Sequence, residues 1–220
     1  LVGEVVYLVQ YPSVTLGRFK PEFLRVPASA VKAAMMEHQR YFPIEDEKGL
    51  RPNFIVVSDR GPSHSDLIRH GNEEVLTARL ADAQFFDRQD AQRRLEDRVA
   101  DLKGVAFLKG LGSYLEKTDR LVELSAAVSA ALGLDAAAAG HAARAARLCK
   151  ADLLTEMVGE FPKLQGEVGR MYALREGEHE AVATAILEHY LPRSADGELP
   201  STPAGTALSL TEKIDTLASC

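Results

Sequence analysis

The second half of this 220-residue chain has a helical pattern, and that pattern restricts the fold more than any other feature. Apolar residues recur at helical spacing in one segment: Leu121, Leu124, Val128 and Leu132. Gly133 follows as a stop signal, and further helices are predicted over 137–158, over EHEAVATAILEHYLP and from TALSLTEKIDTLAS onward. The sequence therefore predicts an all-α region after Tyr114, with SADGELPSTPAG as a loop before the last helix.

The first sixty residues carry β signals instead. Strands are predicted in EVVYLVQYP and VTLGRF, which are rich in Val, Tyr and Leu, and in the apolar run NFIVVSD. Between them, PASAVKAAMMEHQRYFP predicts a helix with Pro27 near its start and Pro43 beyond its end. We expect a small mixed α/β segment here.

A helical stretch is predicted between these two regions. Apolar residues recur near a 3.6-residue period from Asp66 to about Asp101: Leu76, Leu80, Ala83 and Phe86. The three glycines of KGVAFLKGLGSYLEK then indicate a broken helix or a tight connector. The predicted class is α+β, mostly α, with a mixed segment at 1–62, a helical connector at 63–113 and a helical domain at 114–220.

Composition limits the class of protein and the compartment in which it works. The net charge of −6 gives no overall basic field, although a local basic face can still bind nucleic acid. Two cysteines, Cys149 and Cys220, are too few for a disulfide framework, which favours a reduced, cytoplasmic protein. The sequence contains no membrane span and no secretory signal. Both ends look cut, so we expect a piece of a longer protein.

The common catalytic motifs are missing. No glycine-rich stretch ends in GK[ST], and no G-x-G-x-x-G follows a predicted strand. The six histidines form no H-x-x-x-H pair, and no C-x-x-C occurs, so the sequence does not support a zinc site. Nucleophilic serine chemistry lacks its G-x-S-x-G elbow.

Two carboxylates on apolar helix faces are the remaining candidates. Asp152 shares a predicted face with Leu148 and Cys149, and Asp215 lies in the last predicted helix. Each could bond a neighbouring backbone or cap a helix. The alternative is a shared polar centre, in which an ionised carboxylate needs a cation or several donors because its desolvation costs several kcal/mol.

Several long strings carry a family resemblance. They are ADLLTEMVGEFPKLQGEVGRMYA, EHYLPR, DTLA, VPASAVKAAMMEHQRYFP, RPNFIVVSD, GNEEVLTARLADAQFF and LGSYLEKTDRL. Through these strings the chain resembles the β-subunit family of bacterial heterotetrameric glycyl-tRNA synthetases. The resemblance runs in order from Leu1 to Cys220. The resemblance implies the end of one β-subunit region followed by an HD-domain-like helical bundle that is truncated at its C-terminus. The family's N-terminal B3/4-like part and C-terminal anticodon-binding domain would lie outside these residues.

The resemblance also implies a function. It implies a glycine–tRNA ligase of two α and two β subunits that attaches glycine to tRNA-Gly in the cytoplasm. The α subunit would make glycyl-adenylate with ATP and Mg, whereas the β subunit binds tRNA. We expect the partners to be tRNA-Gly and the α subunit, with no membrane contact, and no cofactor or catalytic residue in this stretch itself.

HD domains bind metal through His, a His-Asp pair and a final Asp. KTDRLVELS resembles the start of that pattern, which puts the first His position at Lys117, the pair at Ala151 and Asp152, and the final Asp at Asp215. Both histidines are replaced, so a metal would be poorly held. We expect no metal here and hypothesise that Lys117 or Arg120 supplies positive charge to Asp152 and Asp215 in a structural centre.

Candidate RNA contacts are the cations in or near these strings. They are Arg40, Arg79, Lys103, Lys109, Lys117, Arg120, Arg144, Arg147, Lys150, Arg170 and Arg193. Each could instead solvate an exposed face and pair with acids, and Tyr41 and Phe42 could stack on a base or anchor a core. Two other functions stay open: a metal-dependent HD phosphohydrolase, and a structural spacer.

Overall fold

The computed structural model describes residues 1–59, 64–108 and 110–219, so Lys109 and Cys220 lie outside the described residues. The chain divides into two compact units, Leu1–Arg88 and Gln89–Cys220. The three-segment division at 1–62, 63–113 and 114–220 stays a prediction. The chain is mostly helical with one small antiparallel sheet, which confirms the predicted fold class.

Unit 1 is the mixed α/β part. Its elements are α1 (Val2–Val5), β1 (Ser13–Arg18), a 3-10 helix (Pro21–Arg25), α2 (Ala28–Ala33), a π-helical turn (Ala34–His38), β2 (Phe42–Asp46), β3 (Gly49–Ser58) and most of α3 (Ser65–Asp90). The predicted strands VTLGRF and NFIVVSD and the helix after Pro27 are confirmed. The strand β2, in FPIED, was not predicted.

The sheet has the antiparallel order β1-β3-β2. One face is buried and carries Phe54, whose ring stacks on Tyr41 with centroids 4.8 Å apart. A Cβ atom on Gly17, the residue paired with Phe54, would lie 2.4 Å from that ring. Only glycine at position 17 therefore leaves room for the Phe54 ring. Tyr41, stacked on that ring, anchors the core of unit 1. Tyr41 is 3% exposed and is not positioned to stack on a base.

The predicted strand EVVYLVQYP is wrong. Residues Val2–Val5 form one helical turn, and Tyr7 and Tyr11 stay exposed. Asp59 accepts hydrogen bonds from the backbone N–H groups of Gln10 (3.0 Å) and Tyr11 (2.6 Å). Strand propensity measures how well a side chain fits a pleated, half-buried surface, and the described part of the sheet offers this segment no strand partner.

Unit 2 is helical, as predicted for the region after Tyr114. Beyond the end of α3 its elements are α4 (Leu95–Val99), a 3-10 helix (Ala100–Gly104), α5 (Tyr114–Ala131), α6 (Ala136–Leu148), a 3-10 helix (Ala151–Leu154), α7 (Glu156–Glu160), a 3-10 helix (Pro162–Leu164), α8 (Glu167–Arg175), α9 (Glu180–Glu188) and α10 (Pro203–Ala218). Helix α5 begins with a capping box, in which Ser113 and Glu116 exchange side-chain and backbone hydrogen bonds. No helix in the described ranges is long and apolar enough to cross a membrane.

The single helix predicted over 137–158 is wrong. Helix α6 ends at Leu148, and Thr155 adopts an extended conformation (φ −91°, ψ 147°). The Thr155 hydroxyl donates to the carbonyl of Asp152 at 2.6 Å and accepts from the backbone N–H of Val158 at 3.2 Å. This local pairing caps α7 and stops the preceding turn, because threonine hydroxyls compete with helical backbone bonds. Asp152 therefore lies in a 3-10 turn.

Candidate functional site

A buried charged cluster lies between α5, α9 and α10 of unit 2. We define the charged cluster as Lys117, Arg120, Lys150, His189, Glu212 and Asp215. Lys117 is completely buried, and its Nζ donates to Asp215 Oδ2 at 2.8 Å and to Thr216 Oγ1 at 3.0 Å. The half-exposed Arg120 donates to Asp215 Oδ1 (2.6 Å) and Oδ2 (3.2 Å). The hypothesis that Lys117 or Arg120 supplies charge to both Asp152 and Asp215 therefore holds for Asp215, which both cations contact.

Lys150 and His189 form the second half of the charged cluster. Lys150 Nζ lies 2.9 Å from His189 Nε2 and 3.4 Å from Glu212 Oε1, which also lies 3.5 Å from Lys117 Nζ. His189 Nδ1 lies 2.5 Å from the carbonyl of Ile186. Because a carbonyl only accepts, Nδ1 carries the proton, and Nε2 accepts from the Lys150 ammonium.

The electrostatics of the charged cluster follow from burial and opposite charge. Burial, with the nearby charge of Lys150, holds the pKa of His189 well below 6.5 and keeps the ring neutral. Burial alone would raise the pKa of Glu212 and Asp215, but their lysine and arginine partners outweigh it and lower both. Three cations therefore face two ionised carboxylates around a neutral imidazole.

Asp152 has different partners from those hypothesised. Its Oδ2 accepts from the backbone N–H groups of Gly166 (2.6 Å) and Gly169 (3.2 Å), and neither Lys117 nor Arg120 bonds to it. Gly166 is the N-cap of α8, so the carboxylate caps that helix from a distance and meets the positive end of its dipole. Complete burial raises the pKa of Asp152 to about 6, and its Oδ1 has no hydrogen-bond partner among the described residues.

Two glycines make this capping possible. A Cβ on Gly169 would lie 3.0 Å from Asp152 Oδ2, and one on Gly166 would lie 2.7 Å from the Tyr190 ring. Gly166 also has a φ of 85°, which favours glycine. The spacing Gly166-x-x-Gly169 is the one sequence signal that could have located the partner of Asp152.

The charged cluster is poorly suited to metal binding. Within residues 1–59, 64–108 and 110–219 there is no group of three His, Cys, Asp or Glu side chains that could hold a metal ion. Both Asp215 oxygens accept hydrogen bonds from cationic side chains, and Asp152 Oδ2 accepts from the backbone N–H group at the start of α8. Cys149 is buried, and desolvation raises the pKa of its thiol to about 12, so it is neither a ready ligand nor a nucleophile.

Two of the proposed RNA contacts are placed inside unit 2. Lys117 is 0% and Lys150 is 3% exposed, which corrects the prediction that they present charge to RNA. Lys150 follows the end of α6 instead of continuing its outer face, because the helix stops at Leu148. Neither ammonium can reach a phosphate in this conformation.

Three further candidates are half-exposed and already paired with carboxylates. Arg120 bonds to Asp215; Arg144 bonds to Glu178 and Glu96; Arg147 lies 3.2 Å from Asp119 and 3.8 Å from Glu96. The hydrogen bonds that Arg144 donates to Glu178 and Glu96 raise the pKa of Arg144. A phosphate would have to compete with these acids for each guanidinium group.

The other candidates differ in their surroundings. In unit 1, Arg40 lies 3.3 Å from Glu4, and Arg79 is half-buried on α3. In unit 2, Arg170 is half-buried, whereas Lys103 and Arg193 are exposed. Arg193 donates to the carbonyl of Gln165 at 3.4 Å and lies over the Tyr190 ring, and it pairs with no carboxylate among the residues the structure describes.

The full length of the chain matches one family. Residues 1–220 match the profile of the family described as "Glycyl-tRNA synthetase beta subunit". The chain belongs to this family. The family resemblance predicted from the sequence strings is confirmed.

Curated relatives agree with this assignment. The "Glycine--tRNA ligase beta subunit" of Acaryochloris marina is 46% identical over 221 residues, which cover 100% of this chain and 31% of that protein. Proteins of the same name from Citrifermentans bemidjiense and Streptococcus equi subsp. zooepidemicus are each 48% identical, and 32% of each is covered. The chain thus spans about a third of the length of these relatives.

Sequence reasoning missed two members of the charged cluster in this family member. His189 lies in EHYLPR and Glu212 in LTEKI, and neither string has a spacing that connects it to Lys150. Their contacts join residues 39 and 62 positions apart. Only the packing of α9 and α10 against α6 brings them together, so no local signal was available.

Proposed function

We propose that this chain is a non-catalytic, HD-type helical module with its preceding segment, and that it serves tRNA binding and assembly in a glycine–tRNA ligase. In this proposal the whole enzyme attaches glycine to tRNA-Gly in the cytoplasm. The α subunit uses ATP and Mg for the adenylate step, and two α and two β subunits assemble. The match of all 220 residues to the β-subunit family carries the proposal.

The charged cluster supports the non-catalytic part. In the proposed HD alignment Lys117 and Ala151 take the positions of the two metal-binding histidines, and Lys117 Nζ lies 2.8 Å from Asp215 Oδ2. A divalent cation placed at Asp215 would face Lys117 and Arg120 at close range, and like charges there cost free energy. The ion pairs instead connect α5 to α10.

The exposed cations support the tRNA-binding part. Of the candidates, Arg193 and Lys103 are the exposed cations of unit 2 that no described carboxylate pairs with. Phosphate neutralisation releases counterions, so RNA affinity falls with salt in proportion to the number of contacts. Arg193 and Lys103 are therefore the residues whose charges should matter most for tRNA, and Arg193 is chosen for the test.

Filter binding of tRNA-Gly across a salt series tests this proposal. We expect Arg193→Glu in the full-length β subunit to weaken binding and to reduce the slope of log K against log salt by about 1. The matched control is Arg51→Glu, because Arg51 is exposed but pairs with Asp46 at 3.3 Å. If the unsubstituted protein shows no binding at low salt, the module is a structural spacer and the tRNA-binding proposal fails.

The metal-dependent phosphohydrolase is the competing enzyme function. Nucleotide and phosphomonoester hydrolysis is measured with Mn²⁺ or Co²⁺ added to the purified chain. We expect no turnover above a Lys117→Met, Asp215→Asn double variant. Turnover that disappears in that variant would establish hydrolase activity in the charged cluster and refute the non-catalytic assignment.

A further inference from the structure

A cavity of about 370 Å³ lies against one side of the charged cluster in unit 2. We call it the cationic pocket and define it by its polar lining: Gln165, His189, Tyr190, Arg193, Glu212 and Lys213. Ligand sites in proteins usually measure about 300–1,000 Å³, so the cationic pocket is large enough for a small polar group.

Lys213, on α10, brings to the cationic pocket a charge that is not balanced by an ion pair. It is half-buried, and its Nζ donates to the carbonyl of Leu191 at 2.6 Å and to Ser209 Oγ at 3.0 Å, which are both neutral acceptors. Burial lowers the pKa of Lys213, and the attraction of Glu212 offsets only part of that effect. Lysine charges are rarely removed from water unless an anion pairs with them, so this position favours an anion as a third partner.

Arg193 lines the same cavity from the segment that follows α9. Its guanidinium makes one hydrogen bond within the described part of the chain, to the Gln165 carbonyl at 3.4 Å. Because a guanidinium has five N–H donors, most of them are available to an anion. The packing of α10 against α9 therefore brings two cations from separate segments to one cavity.

Glu212, the carboxylate in this lining, is already balanced by other cations. Its Oε1 lies 3.4 Å from Lys150 Nζ and 3.5 Å from Lys117 Nζ. Burial alone would raise the pKa of Glu212, but these two ammonium groups lower it. The imidazole in the lining is neutral. The positive charges of Arg193 and Lys213 are therefore left to attract a ligand.

The chemistry of the cationic pocket fits a phosphate group. A planar guanidinium binds two phosphate oxygens at once, and an ammonium adds a compact point charge. The Tyr190 ring is not open for a base to stack on, because Lys150 Nζ lies over it at 4.5 Å and the Arg193 guanidinium at 5.7 Å. The His189 ring also contacts it, with centroids 3.9 Å apart. The cationic pocket thus presents charge without a surface that reads bases, as contacts to a nucleic-acid backbone do.

We propose that the cationic pocket binds one phosphodiester group of the tRNA backbone, held by Arg193 and Lys213 together. This inference rests on the tRNA-binding proposal and adds Lys213 as a further binding residue at the same site. Phosphate contacts fix the register of a nucleic acid without reading its sequence, so the cationic pocket positions tRNA and does not select tRNA-Gly.

Filter binding of tRNA-Gly to the full-length β subunit tests whether the two cations share a phosphate. Each neutralised phosphate contributes about 0.9 to the slope of log K against log salt. We expect the slope to fall by about 1 in the Arg193→Gln, Lys213→Gln double variant and by no more than that in either single variant, whereas cations on separate phosphates would lose about 2. Lys213→Arg keeps the charge and should keep the slope. The matched control, Lys48→Gln with Arg51→Gln, removes two exposed charges from the β2–β3 hairpin and should leave the slope unchanged.

A second measurement needs no substitution. Acylation of lysines by an amine-reactive reagent is followed by mass spectrometry with and without tRNA-Gly. At about ten times the Kd of the tRNA, the reaction of Lys213 should slow by about tenfold, because only the unbound fraction reacts. The reaction of Lys48 should not slow.

The contrary results separate the two proposals. The shared pocket is refuted, while tRNA binding stands, by a double-variant loss of about 0 or about 2, by an equal loss in the control or in Lys213→Arg, or by an unprotected Lys213. No tRNA binding at low salt refutes the tRNA-binding proposal and the cationic pocket with it. Phosphorus NMR of inorganic phosphate without RNA examines the other source of phosphate. Submillimolar binding that the double variant loses, with an unchanged tRNA slope, would assign the cationic pocket to a free phosphate compound.

Discussion

Replacement of Lys117 by methionine should cost unit 2 about 3 kcal/mol of unfolding free energy. Methionine keeps an unbranched apolar side chain, one atom shorter than lysine, and loses the cation–π contact in which Nζ lies 4.3 Å from the centre of the Phe107 ring. It removes the bonds to Asp215 and Thr216 and leaves the buried Asp215 and the partly buried Glu212 with one cation fewer. Removing one partner of a buried ion pair costs about 3–5 kcal/mol. Arg120 still holds Asp215, which favours the lower end of that range.

Urea unfolding followed by circular dichroism measures this loss. With a slope of about 2 kcal/mol per molar urea, the midpoint should fall by about 1.5 M. The matched control is Arg147→Met, whose guanidinium is 37% exposed and pairs with Asp119 and Glu96, so its loss should stay within about 1 kcal/mol. If Lys117→Met shifts the midpoint no more than this control does, the buried pair does not stabilise the module.

Three further perturbations test residues in and around the charged cluster. The pKa of Asp152 rises from 3.8 to about 6 on folding, so burying its charge costs about 3 kcal/mol above pH 6, from about 2.2 pKa units at 1.36 kcal/mol each. Its contribution to stability therefore falls as pH rises from 4 to 6, and Asp152→Asn should remove that fall from urea midpoints; an unchanged profile would contradict the raised pKa. His189 acts in the opposite direction, because its pKa is lowered on folding: its contribution to stability is complete above pH 6.5 and is lost as pH falls. His189→Gln should therefore flatten the acid side of the same profile of urea midpoints. A variant that keeps the full loss of stability in acid would exclude His189 as the source of that loss. Gly169→Ala should destabilise unit 2 by about 1–3 kcal/mol, because the added methyl meets Ile186 Cγ2 at 2.8 Å. In the control Gly159→Ala the methyl meets nothing within 4 Å and should stabilise α7 by up to about 1 kcal/mol. Equal effects of the two variants in thermal melts would refute the packing argument.

The helices could be predicted from sequence because their signals are local. Leu76, Leu80 and Ala83 repeat at the helical period and are all completely buried in α3. The strand prediction for EVVYLVQYP failed because β-branched and aromatic residues favour a strand only where a sheet is there to pack against, and the described sheet begins only at Ser13. The prediction of one long helix over 137–158 failed because α6 already ends at Leu148, and the Thr155 hydroxyl then ends the 3-10 turn that follows.

The candidate site was predictable only where charge had to be balanced. Asp215 on an apolar face required a cation, and Lys117 and Arg120 supply it. Asp152 could not be resolved in the same way, because a buried carboxylate can accept from backbone N–H groups, here those of Gly166 and Gly169, instead of pairing with a cation. Backbone donors have no residue type, so no side-chain pattern could distinguish the two solutions.

Elemental analysis tests the replacement of a metal by ion pairs most directly. The protein is purified without chelator, dialysed against Mn²⁺, Co²⁺ or Zn²⁺, and freed of excess metal by gel filtration. Because Lys117 and Arg120 already occupy Asp215, we expect well under a tenth of an equivalent of metal per chain, on the order expected for non-specific contamination. One bound transition metal per chain, lost in Asp215→Asn, would contradict the ion-pair centre.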